Sequence, residues 1–206
     1  MSTLQDILSD FNGELNRDDC PQERAIAFVN RAVMRVQRTL RVPSMERSRL
    51  ILAQGEMTYV TVPDDLLEMI DVFSSTTCQD RSRPLDRKAF RQIVELPKLG
   101  APSAYARVGS TLHFRGAIPN GGSVLLHYYG SVDRLQDLSD TNAFSLSCPD
   151  LLTYGALKYA GLWCDHPSTQ TWEDTFVGIL GDVQGQTIAM ENSGGPSAIQ
   201  PLYPLD

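Results

Sequence analysis

The stretch SCPDLLTYGALKYAGLW, residues Ser147–Trp163, reads as a helix that is apolar around nearly its whole circumference. Pro149 fits the first helical position, where its missing N–H costs nothing, and Asp150 suits the positive end of the dipole. Leu151, Leu152, Tyr154, Ala156, Leu157, Tyr159, Ala160, Leu162 and Trp163 follow, with Lys158 as the one charge among them. A helix of this kind has to be covered on most sides. Gly155, Ala156, Ala160 and Gly161 would let another backbone approach closely, either inside a bundle or at a subunit contact.

Cover is available from both ends of the chain. Residues 3–11 form a short helix with Ser2 or Thr3 as cap, broken by Asn12-Gly13. From Pro21 to Leu40, Ala25, Val29, Ala32, Val33, Val36 and Leu40 share one helical face, and Pro43 ends the run. Arg24, Arg31, Arg35 and Arg38 share the other face. That face is either solvated or turned toward an acidic neighbour, such as the last third of another copy. After the punctuation Asp165-His166-Pro167-Ser168, a further helix carries Trp172, Phe176, Ile179, Leu180 and Val183 as its stripe and frays near Asn192–Gly195.

The middle of the chain changes period. MTYVTV, residues 57–62, alternates as a strand, Pro63-Asp64-Asp65 turns, and Leu66–Phe73 enters a second strand. Pro84–Leu96 has helical spacing through Leu85, Phe90, Ile93 and Val94. AYARV, TLHFRG and VLLHYYG then follow at hairpin spacing, separated by Gly109-Ser110 and by Pro119-Asn120-Gly121-Gly122. The expected fold class is α+β. Residues 1–54 and 131–192 make a helical bundle, 55–130 a small antiparallel β-rich insert with one helix, and 193–206 a Pro/Gly-rich tail docked on a neighbouring subunit or partner.

The 206 residues are 42% hydrophobic, enough for a core. No run approaches the roughly 18 apolar residues of a membrane span, and MSTLQDILSDF lacks the pattern of a secretory signal, so a cytoplasmic origin is expected. The net charge of −7 is uneven. The last 76 residues hold ten acids against Arg134 and Lys158, while the first 50 are nearly balanced. This argues against sequence-reading DNA recognition, which shows a basic surface.

Catalytic patterns are missing: no GxxxxGK[ST], no GxGxxG, no GxSxG and no HExxH. Cys20, Cys78, Cys148 and Cys164 are scattered and read as reduced, mostly buried thiols. His113 and His127 fall in strands, and His166 in a helix-to-helix turn where capping suits it. Asp64-Asp65 and Asp18-Asp19 are the acid pairs, and the first is explained by its turn. A metal-dependent hydrolase using Asp64, Asp65 and His127 is the weakest of the readings. No catalytic, cofactor-binding or metal-ligating residue is expected.

In order along the chain, several pieces resemble the head-to-tail adaptor proteins of tailed bacteriophages. PDLLTYGALKYAGLW is similar to a helix of that family. VPDDLLEMIDV, residues 62–72, resembles its strand-to-turn segment. RVGSTLHFRGAIPNGGSVLLHYYG resembles its hairpin with paired tyrosines, here Tyr128 and Tyr129. LSDTNAF resembles its linker, and WEDTF, residues 172–176, the start of its last helix. The resemblance covers roughly residues 24–180. Two departures stand out: Gly178, Gly181 and Gly185 in a charge-poor last helix, and the unmatched tail GGPSAIQPLYPLD.

The resemblance implies a ring, usually of twelve copies, docked beneath the portal in the virion neck and assembled in the host cytoplasm. It implies tail or nozzle proteins as partners, double-stranded DNA passing non-specifically through the lumen, no membrane and no cofactor. A stopper or tail-completion protein is the nearest alternative. Arg31, Arg35, Arg38, Tyr154, Gly155, Trp172, Leu202 and Tyr203 are the residues expected at a subunit or portal interface.

Overall fold

The computed structural model describes residues 2–17, 19–77, 82–95 and 100–192. In chain order the elements begin with helices α1 (Leu4–Leu15) and α2 (Gln22–Thr39). Strands β1 (Glu46–Leu52), β2 (Met57–Thr61), β3 (Leu66–Ser75), β4 (Arg83–Pro84) and β5 (Asp86–Arg87) follow. Next come helix α3 (Phe90–Glu95) and strands β6 (Ala104–Val108), β7 (Thr111–Ile118) and β8 (Ser123–Gly130). Helices α4 (Ala143–Ser147), α5 (Pro149–Cys164) and α6 (Thr169–Asn192) complete the order. The fold is α+β, as expected. The chain divides into two compact units: Met45–Ser131 forms one, and the segments on either side of it form the other.

In the helical unit, α5 is the central element. Its Leu151, Leu152, Ala156, Leu157 and Ala160 are fully buried against α1, α2, α4 and α6. The cover ends one turn early, since Leu162 is 65% exposed. Gly155 is the point of closest approach. A Cβ there would stand 2.8 Å from the Ala32 Cβ and 3.1 Å from the Phe176 ring. Within the described residues, the small side chains of α5 therefore serve intramolecular packing.

Local chemistry sets the helix ends. Thr3 caps α1 reciprocally: its N–H donates to the Asp6 carboxylate at 2.8 Å, and its hydroxyl accepts the Asp6 N–H at 3.4 Å. The helix runs through Asn12-Gly13 instead of breaking there, because Leu15 extends the buried stripe of Leu4, Ile7, Leu8 and Phe11. Asn16 stops it in the left-handed region.

The irregular return segment after Val132 needs partners for its backbone. The Asn30 side chain of α2 supplies two, donating to the Leu135 carbonyl at 2.7 Å and accepting the Leu135 N–H at 3.0 Å. Gln37 accepts the Val132 N–H at 3.2 Å. Asn142 caps α4 by accepting the N–H groups of Phe144 and Ser145.

The other unit contains two four-stranded sheets, ordered β1-β8-β3-β4 and β2-β7-β6-β5. All pairs are antiparallel except β5–β6. Residues of both sheets share one core, including Val60, Val72, Leu112, Phe114, Ile118, Val124 and Leu126. Strands β7 and β8 alternate between buried and half-buried side chains along their whole length.

Three sequence readings change here. TLHFRG and VLLHYYG do not pair as a hairpin, because β7 and β8 belong to different sheets. The Pro119–Gly122 turn is a corner between the sheets. At Gly122 a Cβ would fall 2.6 Å from the Ser75 carbonyl and 2.7 Å from Ile118. The helix expected from Pro84 shortens to α3, because Leu85 enters the sheet core and donates its N–H to the Val72 carbonyl at 2.8 Å. Leu96 lies outside the described residues. Strand β1, inside the range read as bundle, shows no alternation of its own and forms by pairing with β8 from Glu46↔Tyr129 to Leu52↔Ser123.

Glycines on facing helices should answer oppositely to substitution. Gly155→Leu is expected to destabilise the protein by about 3 kcal/mol through overpacking. Gly181→Ala, where a Cβ meets open space, should stabilise it by about 0.5–1 kcal/mol. Urea unfolding followed by far-UV circular dichroism measures both.

Candidate interaction surfaces

Of the residues expected at an interface, three are engaged within the helical unit. Arg35 reaches across α2 to α6, donating two hydrogen bonds to the Glu173 carboxylate at 2.8 and 2.5 Å. Lys158 of α5 pairs with the same carboxylate at 2.6 Å. The Arg35 guanidinium also lies 4.2 Å from the Phe176 ring centroid. Three helices are thus joined by one half-buried ionic group. Trp172 is buried and stacks on His166 at a centroid distance of 4.6 Å. Gly155 is enclosed as described above.

Arg31 and Arg38 are placed differently. Both are exposed on the outer face of α2, and they join Arg24 and Arg134 along two adjoining grooves. The floor is formed by Ala27, Phe28, Tyr159, Leu162 and Trp163. The Arg24 guanidinium lies 4.8 Å from the Trp163 ring centroid, and that of Arg31 lies 5.7 Å from Phe28. Among the described residues none of the four arginines forms an ion pair, and Glu23 is the one acid lining either groove.

The sequence showed three of these arginines at intervals of seven. It did not show Arg134, which the return segment brings alongside, or that Trp163 and Leu162 project beyond the bundle. Tyr154 is half-buried beside Asp10, Gly13 and Asp150 on the α1 side. Leu202 and Tyr203, with the whole expected tail 193–206, lie outside the described residues, as do Asp18 and Cys78.

The residues considered for chemistry have other occupations. Asp65 accepts hydrogen bonds from the Tyr128 hydroxyl at 3.1 Å and from Arg47 at 2.5 Å, holding the start of β3 to β8 and β1. His127 Nε2 lies 3.2 Å from the Glu46 carboxylate. His166 Nδ1 accepts the Ser168 N–H at 3.2 Å, a bond within the turn that precedes α6. Burial pushes the Cys148 thiol above its ordinary range, which weakens it as a nucleophile. Among the described residues no three His, Cys, Asp or Glu side chains form a group able to hold a metal ion.

No described helix is long and apolar enough to cross a membrane. On the α2 side the helical unit presents exposed arginine and aromatic side chains, residue types over-represented at protein interfaces. The chain belongs to the SU10 adaptor protein family, whose profile matches residues 2–199. Among curated proteins none matches it.

The Arg35–Glu173–Lys158 group carries a pH signature. The two cations hold the Glu173 carboxyl down to about 2 against an ordinary 4.5, chiefly through the Arg35 hydrogen bonds. A carboxylate depressed by folding stabilises the native state above its unfolded pKa, and that contribution fades as pH falls toward the folded value. Glu173→Gln should therefore cost about 2 kcal/mol at pH 7. The difference from wild type should shrink between pH 4.5 and 2, as read from urea unfolding across that range.

Proposed function

We propose that this phage adaptor acts as a head-to-tail connector: identical copies close into a ring beneath the portal, extend the DNA channel and give the tail its platform. The family match over residues 2–199 carries this reading. The ring has about twelve members, the number usual for adaptors resembling this sequence. It sits in the virion neck and is assembled in the host cytoplasm. Its partners are the portal on one side and tail or nozzle proteins on the other, with double-stranded DNA passing between.

Two observations support association between copies. The first is the row of arginines that meets no acidic partner among the described residues, in a chain of net charge −7. A surface of that kind suits a partner that brings acids, and the chain's own last third is rich in them. The second is the set of glycines in α6, each lowering helix stability by about 1 kcal/mol relative to alanine, with nothing among the described residues within 4 Å to require their small size. The acidic bias also suits a lumen through which phosphate must slide and not adhere. No reaction is assigned to the protein. A stopper or tail-completion role differs from this reading in lacking direct portal contact.

The purified chain should be sized alone and after mixing with purified portal, by light scattering coupled to gel filtration. A multi-copy ring bound to portal is the expected product. A chain that leaves portal unbound, while gathering on a preformed neck lacking it, would favour the stopper reading and overturn this one.

A further inference from the structure

Two faces of the helical unit are complementary, and they lie on different helices. The first is the α2 face described above, where Arg24, Arg31 and Arg38 recur every seven residues, about 10.5 Å apart along the axis. Arg134 stands beside them, and Leu162 and Trp163 expose apolar surface at one end. The second is the outer face of α6. At 100° per residue, Gly178, Gly181 and Gly185 fall opposite the side of buried Trp172 and Phe176 and half-buried Val183. Among the described residues nothing stands within 4 Å of a Cβ placed at any of the three.

This glycine face is bordered by exposed Asp174 and Asp182, about 12 Å apart along the helix. Val177, 52% exposed, adds apolar surface at its edge. At 100° per residue Asp174 falls in line with the glycines and Asp182 to one side of them, so an opposing helix can come close while its arginines reach both carboxylates.

We infer that the arginine face of α2 in one copy receives the glycine–aspartate face of α6 in the next. Charge complementarity selects this occupant. One face carries four guanidinium groups that form no ion pair among the described residues. The other carries two carboxylates at nearly the same axial spacing, with Gly178 and Gly181 between them and Gly185 just beyond Asp182. Because the two faces differ, the contact is heterologous: each copy gives one face and receives the other, the arrangement that closes a ring. The inference rests on the ring reading above and names the surfaces through which it closes. Nucleic acid is the weaker fit for the groove, since Leu162 and Trp163 offer apolar surface that a duplex backbone does not use.

Charge exchange tests it on the full chain, assembled on portal and counted by light scattering. Arg31→Glu/Arg38→Glu and Asp174→Lys/Asp182→Lys should each lower the ring yield about tenfold. An equimolar mixture of the two variants should restore it, since every contact in an alternating ring is again between opposite charges. The fourfold exchange in one chain should do the same. Thermal melts check folding, and Arg31→Gln/Arg38→Gln with Asp174→Asn/Asp182→Asn replace any variant that unfolds, with a smaller loss expected from each. Variants that assemble like wild type, or losses that the mixture fails to repair, overturn the pairing of these faces while leaving the ring intact. A wild-type chain that forms no ring on portal removes both readings. Loss of binding to a short DNA duplex with assembly unchanged would make the arginine face a nucleic-acid surface and overturn the inference.

Discussion

The helical unit depends on covering α5. Its mean character is apolar on every side through Gly161, and its burial is completed by side chains of α1, α2, α4 and α6 that close on it from different directions. Gly155 sets how near α2 and α6 approach, because its missing side chain is the space that Ala32 and Phe176 occupy. Removing apolar surface from water drives this arrangement. The close packing at Gly155 fixes one geometry among the many that hydrophobic attraction alone would allow.

Polar groups then determine how the rest of the unit attaches. Glu173 lies between Arg35 and Lys158, so α6 is held to α2 and α5 by charge where its apolar stripe begins. Asn30 and Gln37 satisfy the return segment that leads from the sheet unit back to α4. These are side chains of α2 facing an irregular backbone, and without them its N–H and C=O groups would be buried unpaired. The same return segment carries Arg134 to the arginine row. A structural hydrogen-bond network therefore also shapes the candidate interaction surface.

The two halves of α6 behave differently. Its first turns are buried by Trp172 and Phe176, while the later turns carry glycines and open surface. A helix with this composition is poorly supported by its own propensity.

The sequence by itself determined the central helix, the α2 stripe and the strand alternation of β7 and β8, because each is a repeat in one local segment and its period follows from backbone geometry. It also displayed the arginine row, which is a helical repeat like any other. Only tertiary structure separated Arg35 from that row, since the separation depends on Glu173, 138 residues away. Only tertiary structure placed β7 and β8 in different sheets, drew Leu85 into the sheet core and made β1 a strand at all. In each case the deciding partner is distant in the chain, and local pattern carries no information about which distant group will be there.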